Sequence, residues 1–405
     1  MQYVFLFFFF FTGLGANLAN LSPYVLSHFP DTAKLVFLAL QISMPLGNLF
    51  AGWISDKTAN IRIFSNLGLG LLVPVQFFLY RFPESAYYSA FFSFAIGFLL
   101  TANMQWISIA LLEDKGENRF SRIRSAGTVG FMCIQLFLYL LADTKWGAVP
   151  GTDIGKNFGA FLYLPAFFLS FSLPKQRKSK QTFHFKDALQ FIQQKFFLVF
   201  FLVSFCYYFS YQLIDNYLGK YIQISIGLQA VFFSWFVAVI LEIPYLFYLP
   251  KIVEKWGNFA ILYLSLISAA IRFSLLAYTV YYFSEGLLWL SQTLHSFVYV
   301  GFYMGAIYCF RQKVPHHLYG SVFGLHSIFA QSFGFAMGNL VMGTLLAKPW
   351  NQNLFHQWGI LPYRVQGEKF FLLFVFAASI CILLLPTIAY LKRIWHNNSS
   401  QSENI

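Results

Sequence analysis

The stretch GNLFAGWISDKTANIR, from Gly47 to Arg62, ends a long apolar run with an acid and a base side by side, Asp56 and Lys57. Charged residues at the end of an apolar run are typical of a helix that leaves the hydrocarbon core of a membrane. The stretch therefore predicts a helix end at one membrane surface. The composition of the whole chain supports this interpretation.

The chain is too apolar for a soluble protein. It has 405 residues, of which 58% are hydrophobic and 10% charged, and 53 of them are phenylalanine. Soluble domains carry roughly 25% charged residues, and the mean hydropathy here is +0.60. Its apolar runs last roughly 18–25 residues, which suits membrane helices and not the short alternating strands of a membrane barrel. The net charge of +12 would suggest a nucleic-acid partner if the protein were soluble. In a membrane protein the positions of the charges in the loops matter more than their sum, so we expect no nucleic-acid partner.

The pattern of apolar runs predicts about twelve transmembrane helices with both termini on one side. About 18 of the lysines and arginines fall in loops on one side of the membrane and about 8 on the other. The positive-inside rule then predicts cytoplasmic termini in the inner (plasma) membrane of a bacterial-type cell. The expected spans are 2–28, 33–55, 63–81, 87–112, 125–142, 158–173, 196–219, 229–249, 259–280, 286–310, 322–346 and 370–391.

A basic segment after the sixth span divides the chain into halves of similar length. The predicted domains are an N-terminal six-helix bundle (1–173), a cytoplasmic linker (174–195), a C-terminal six-helix bundle (196–391) and a cytoplasmic tail (392–405). The segment PKIVEKWGN, from Pro250 to Asn258, echoes the opening stretch in the second half, with Glu254 and Lys255 as its acid–base pair. Two such pairs at half-chain spacing indicate an internal duplication.

The spacing Gly52-x3-Asp56-Lys57-x-Ala59-x2-Arg62 resembles the signature of the loop between helices two and three in the major facilitator superfamily. The resemblance implies an all-α integral membrane fold with twelve helices in two pseudo-symmetric six-helix bundles. It also implies a gating motif that closes the cytoplasmic face in one state. We expect the glycine to let helices approach closely. The assigned gating residues are Gly52, Asp56, Lys57, Arg62, Glu254 and Lys255.

Two further stretches resemble the phenylpropionate-permease and lactose-permease-like branch, whose members include oligosaccharide and nucleoside:proton symporters. These are NRFSRIRSAGTVGF, from Asn118 to Phe131, and SQTLHSFVYVGFYMGAIY, from Ser291 to Tyr308. The resemblance implies that Arg124 contacts substrate and that Phe131 stacks on it. The alternative for Arg124 is that it only anchors the loop before helix five. The resemblance does not identify the solute.

Ionisable residues inside the spans need a reason, because each costs about 2.5–3.5 kcal/mol at the bilayer centre. Glu242, Arg272 and His295 lie deepest, and Asp215 lies near the outer end of helix seven. Glu242 and Arg272 have opposite charges on consecutive helices, which predicts that they form a pair, or a triad with His295. This group serves either as a proton and substrate network or as a structural ion pair. In the lactose-permease relatives the residue matching Arg272 faces a carboxylate that carries the proton. In this chain Val298 occupies the position of that carboxylate. Three alternatives therefore stay open: proton symport through that site, proton transport by Glu242 or Asp215 instead, and uniport.

Neutral amides inside the spans are candidates for the substrate cavity, since they suit hydroxyls or the edge of a nucleobase. The alternative is that they only join helices. Together with Phe131, the cavity candidates are Asn17, Asn20, Gln41, Asn103 and Gln292.

We expect a secondary transporter and not an enzyme. The sequence has no Walker lysine motif, no HExxH and no cysteine cluster, so we expect no cofactor and no metal. The predicted partners are a small organic solute (sugar, nucleoside or aromatic acid), a co-transported proton and membrane lipid, and we expect a monomer. Drug or lipophile efflux by proton antiport, a non-transporting membrane sensor and a membrane acyltransferase are the alternatives.

Overall fold

The structure, a computed structural model, describes residues 1–57, 60–115, 117–141, 158–173, 185–315, 318–347 and 367–402. These residues form helices and contain no strand. In chain order the α-helices are α1 (Gln2–His28), α2 (Ala33–Lys57), α3 (Ile61–Leu79), α4 (Ala86–Lys115), α5 (Glu117–Leu141), α6 (Tyr163–Ser170), α7 (Phe185–Ile192), α8 (Lys195–Ser225), α9 (Leu228–Ile240), α10 (Glu242–Trp256), α11 (Asn258–Tyr281), α12 (Glu285–Thr293), α13 (His295–Lys313), α14 (Tyr319–His326), α15 (Phe333–Ala347) and α16 (Gly367–Ser402).

The predicted all-α membrane class is confirmed, although the count of twelve spans is not. Among the described residues, 11 helices are long and apolar enough to cross a membrane. Each lies at one of the predicted spans, and the first, Gln2–His28, matches the predicted 2–28 at both ends. At the predicted sixth span, 158–173, a 3₁₀ turn (Gly159–Leu162) leads into α6, and this apolar helix, Gly159–Ser170, is shorter than the others.

Within the part of the chain that the structure describes, three spans are interrupted inside their apolar length. Leu241 separates α9 from α10, Leu294 separates α12 from α13, and a π-helix (Ser327–Ser332) joins α14 to α15. Pro244 explains the first break, because a proline cannot donate to the carbonyl one turn earlier and its ring crowds that carbonyl. The sequence offers no proline at the second break. Irregular backbone at membrane depth is tolerated where it is buried in protein or lines a cavity.

The chain divides into two compact units. The first comprises Met1–Thr182 and Asp215–Ile243, and the second comprises Phe183–Ile214 and Pro244–Ile405. The six-helix bundles at 1–173 and 196–391 stay a prediction.

Helices α2 and α4 approach closely in the first unit because α2 presents a glycine at their contact. A Cβ atom on Gly47 would overlap the backbone oxygen of Phe98 and the Oγ1 of Thr101, whose hydroxyl donates to the carbonyl of Met44 at 2.8 Å. Among the described residues, in contrast, a Cβ atom on Gly52 would meet Gln105 Nε2 at an ordinary 3.6 Å. The close approach that the sequence predicted at Gly52 therefore lies at Gly47, earlier in the same helix.

We expect Gly47→Ala to destabilise the protein by about 1–3 kcal/mol, the usual cost of forcing atoms into a packed contact. The new methyl group would press on a backbone oxygen, which cannot move aside as a flexible side chain does. Thermal unfolding of the purified protein measures the effect. Gly52→Ala is the matched control, and it should unfold at the same temperature or higher because alanine favours the helix. Equal destabilisation by both substitutions would contradict this account of the packing.

Candidate functional site

Glu242 is an acidic residue of the first unit that lies inside a predicted span. It is the first residue of α10, directly after the break at Leu241, and its side chain is partly buried. A carboxylate in the first turn of a helix is stabilised by the free N–H groups and dipole of that helix. Thr128 on α5 donates a hydrogen bond from Oγ1 to Glu242 Oε2 at 3.4 Å. The break thus presents a carboxylate to the face of α5.

Arg124 lies one turn before Thr128 on the same face of α5. Its guanidinium is close enough for its charge to act on the Glu242 carboxylate, but the two groups do not form a direct salt bridge. The Arg124 guanidinium also lies 5.8 Å from the centre of the Phe11 ring on α1. The Arg124 guanidinium, the Thr128 hydroxyl and the Glu242 carboxylate therefore lie near one another, and the two charged groups are not in direct contact.

An aromatic pair continues this face of α5. Phe131 is buried, one turn beyond Thr128, and its ring packs edge-on against Trp235 of α9 with ring centres 6.0 Å apart. Sequence reasoning selected Phe131 and missed Trp235. The available signal was that Trp235 precedes Glu242 by about two helical turns, which places both on one side of the span Leu228–Trp256. The arrangement places two aromatic rings beside the polar groups.

Three of the four predicted cavity amides of the first unit bond within the protein. Asn17 Oδ1 accepts from the Tyr80 hydroxyl at 2.9 Å, while Asn20 and Asn103 donate from Nδ2 to the carbonyls one turn earlier in their own helices, at 2.6 and 2.7 Å. Asn17, Asn20, Gln41 and Asn103 are all buried. Their role toward a solute stays a prediction, as does that of Asp215, which lies partly exposed in α8.

A second polar cluster lies in the second unit. Arg272 on α11 is buried, with 1% of its surface exposed, and its Nη2 donates to Gln292 Oε1 at 3.4 Å. His295 is the first residue of α13, after the break at Leu294, and is also buried. The rings of Tyr211 and Tyr299 lie 5.9 and 6.2 Å from the imidazole. The structure thus groups Arg272, Gln292 and His295, while the pairing of Glu242 with Arg272 stays a prediction.

The gating residues are described only in part. Helix α2 ends at Lys57, but the side chains of Asp56 and Lys57 lie outside the described residues. Arg62 is partly exposed near the start of α3, and Glu254 and Lys255 are exposed near the end of α10. Gly257, which follows α10, has a φ of +79°, so a side chain there would be strained. Gating by these residues stays a prediction.

Comparisons with known proteins agree on the kind of molecule. A family model described as "MFS_1 like family" matches residues 1–357. The "Putative nucleoside transporter YegT" of Escherichia coli (strain K12) is 28% identical over 289 residues, which are 67% of this chain and 66% of that protein. The match therefore spans just under two thirds of that relative's length.

Solved structures of transporters resemble this fold over nearly the whole chain. The nucleoside transporter NupG superposes with a TM-score of 0.77 at 16% identity, covering 96% of this chain and 98% of that one. The POT family transporter PepTSo gives 0.71 at 13% identity, covering 98% and 97%. A D-xylose–proton symporter gives 0.67 at 13% identity, covering 94% and 95%. At these identities the likeness shows the shared fold.

Proposed function

This chain belongs to the MFS_1 like family, and from that premise we propose that it is a secondary transporter whose solute is a nucleoside. The observation that carries the proposal is the group around Glu242, where Thr128 and Arg124 lie on one side of the carboxylate and the pair of Phe131 and Trp235 continues the same face. The names of the relatives YegT and NupG support the same solute class. The protein moves this solute by alternating access and is not an enzyme.

The parts of a nucleoside match the side chains around Glu242: its hydroxyls match the carboxylate, its base acceptors match Arg124, and its flat base matches the aromatic pair. Its sugar hydroxyls donate to the Glu242 carboxylate, and such charge-assisted hydrogen bonds are about twice as strong as neutral ones. Arg124 donates to carbonyl or ring acceptors of the base or to sugar oxygens. The flat base stacks on Phe131 or Trp235, an arrangement favoured for aromatic pairs. A plain sugar would leave the aromatic surface unused, and an aromatic acid would bring its carboxylate to Glu242.

Transport is coupled to a proton that Glu242 carries. A protonated carboxylate can move through a dehydrated state at far lower cost than a charged one. Thr128 can donate to the charged form and accept from the protonated form, because a hydroxyl serves both roles. The second unit has Val298, buried on α13, one turn after His295, so Glu242 is the acidic group best situated for the task.

The remaining features of the proposal rest on the sequence. The excess of lysine and arginine in loops on one side supports cytoplasmic termini in an inner membrane. The paired motifs at Asp56–Lys57 and Glu254–Lys255 support gating at the cytoplasmic face, and the protein acts as a monomer of two six-helix bundles.

A thermal-shift screen of the purified protein tests the solute class. Uridine and adenosine represent nucleosides, xylose and lactose represent sugars, and phenylpropionate represents aromatic acids. A ligand that binds the folded state raises its apparent stability, so we expect a saturable rise in unfolding temperature with nucleosides and none with the others. A rise with phenylpropionate or the sugars alone, or active extrusion of lipophilic dyes from proteoliposomes, would contradict the proposal.

We expect Phe131→Ala to weaken nucleoside binding about tenfold or more, because stacking on an aromatic side chain contributes about 1–3 kcal/mol per base. The loss should appear as a raised dissociation constant in the thermal-shift titration and as a raised KM for uptake. Phe137→Ala is the matched control, since Phe137 lies on the same helix and is exposed. Equal losses in both variants would mean that the loss is not specific to Phe131 and would contradict stacking on its ring.

A further inference from the structure

We propose that the second unit binds a small anion, a carboxylate group or a halide ion, at Arg272. The side chain projects from α11 within the apolar span Asn258–Tyr281 and is 1% exposed. An arginine keeps its charge in a protein, so burial does not neutralise it as it can neutralise a lysine or histidine. A full positive charge is therefore enclosed in the interior of a membrane helix bundle.

Among the side chains that the structure describes, the second unit supplies no counter-charge for this arginine. The acids of this unit with described side chains, Asp187, Glu254 and Glu285, are all exposed, and none forms a salt bridge with Arg272. Gln292 Oε1 accepts a single hydrogen bond from Nη2, while Nε and Nη1 have no acceptor within the unit. More than half of the N–H donors of the guanidinium are thus buried without an acceptor there.

The surroundings favour an anion over an internal partner. Tyr207 lies within electrostatic range of Arg272, but its hydroxyl is engaged with the carbonyl of Val298 at 2.7 Å and with Ser265 at 3.0 Å. His295 is also within range of the arginine's charge, and an imidazole does not neutralise a cation. Buried charges are found paired or liganded. A carboxylate or halide would neutralise the charge and accept the N–H groups that Gln292 leaves unused.

Thermal unfolding of the purified full chain tests the site with chloride and acetate as separate probes. Each sodium salt is titrated against sodium methanesulfonate at constant ionic strength and pH. We expect one or both probes to raise the unfolding temperature saturably, by about 2–4 °C, and this rise to disappear in Arg272→Gln. Arg311→Gln, which removes an exposed arginine from the end of α13, should keep the full shift.

The two probes distinguish the sources of the anion. A shift with chloride alone assigns the site to a halide ion, and a shift with acetate alone assigns it to the carboxylate of a larger solute. Val298→Glu is a second variant that does not depend on Arg272→Gln folding. The Tyr207 hydroxyl donates to the backbone carbonyl of Val298 and lies within electrostatic range of Arg272. A carboxylate introduced at position 298 should therefore take the place of the anion and abolish the shift.

The proposal fails if neither probe shifts wild type more than Arg272→Gln, or if Val298→Glu keeps the full shift. In the first case the protein itself would supply the counter-charge. These outcomes do not depend on which solute is transported, so the anion site and the nucleoside proposal can fail separately.

Discussion

Glu242→Gln is expected to lower proton-driven uptake of nucleoside about 100-fold. The substitution keeps the size and shape of the side chain but removes its charge and its capacity to carry a proton. Hydrogen bonds to a charged group contribute about 1.5–3 kcal/mol each, and about 2.7 kcal/mol corresponds to a factor of 100. The amide can still interact with Thr128, whose Oγ1 lies 3.4 Å from Oε2, so the helix break should keep its form.

Proteoliposomes separate the two roles assigned to this carboxylate. Uptake is driven either by an imposed pH gradient or by exchange against internal nucleoside, which needs no net proton movement. If Glu242 carries the proton, Glu242→Gln should stop gradient-driven accumulation while exchange continues at a reduced rate. Glu285→Gln, an exposed acid at the start of α12, is the matched control and should behave as wild type. Accumulation that survives in Glu242→Gln would refute the assignment of proton coupling to this residue.

The sequence predicted the helices well, because apolar length is a property of the segment itself. Span α1 was placed correctly at both ends, since hydropathy alone determines where a chain enters and leaves the hydrocarbon. The breaks at Leu241 and Leu294 were not predicted. Pro244 carried a signal for the first, but α12 and α13 contain no proline that could mark the second. These breaks matter for the site because Glu242 and His295 each begin the helix that follows one.

Partners in space were harder to predict than positions along the chain. Motif matching assigned the close helix approach to Gly52, whereas Gly47 makes it, because which glycine meets a neighbouring helix depends on how the two helices cross. Opposite signs on consecutive helices also predicted Arg272 as a partner of Glu242, and that pairing stays a prediction. The structure shows that Arg124 and Thr128 act on this carboxylate from α5, far away in sequence. Trp235 was overlooked because an aromatic residue in an apolar span is usually part of the core or of the interfacial belt.

Arg124→Gln is expected to lower nucleoside uptake about 30-fold or more, and its effect should depend on Glu242. Arg124 gives the site its positive charge and acts on the Glu242 carboxylate without touching it directly. Without the guanidinium, the carboxylate would remain partly buried with no nearby cation from α5, and the solute would lose a charged donor, a loss of about 2 kcal/mol or more. Arg119→Gln removes an exposed arginine from the same helix and should leave uptake unchanged.

The double variant Arg124→Gln with Glu242→Gln then tests whether the two groups act as a unit. Residues that share one network give non-additive effects in a double-mutant cycle, whereas independent residues multiply their losses. We expect exchange of nucleoside in the double variant to be no slower than in the worse single variant, because removing both charges leaves neither of them uncompensated. Losses that multiply would mean that Arg124 and Glu242 serve separate steps, with Arg124 anchoring the start of α5 and Glu242 meeting the solute alone.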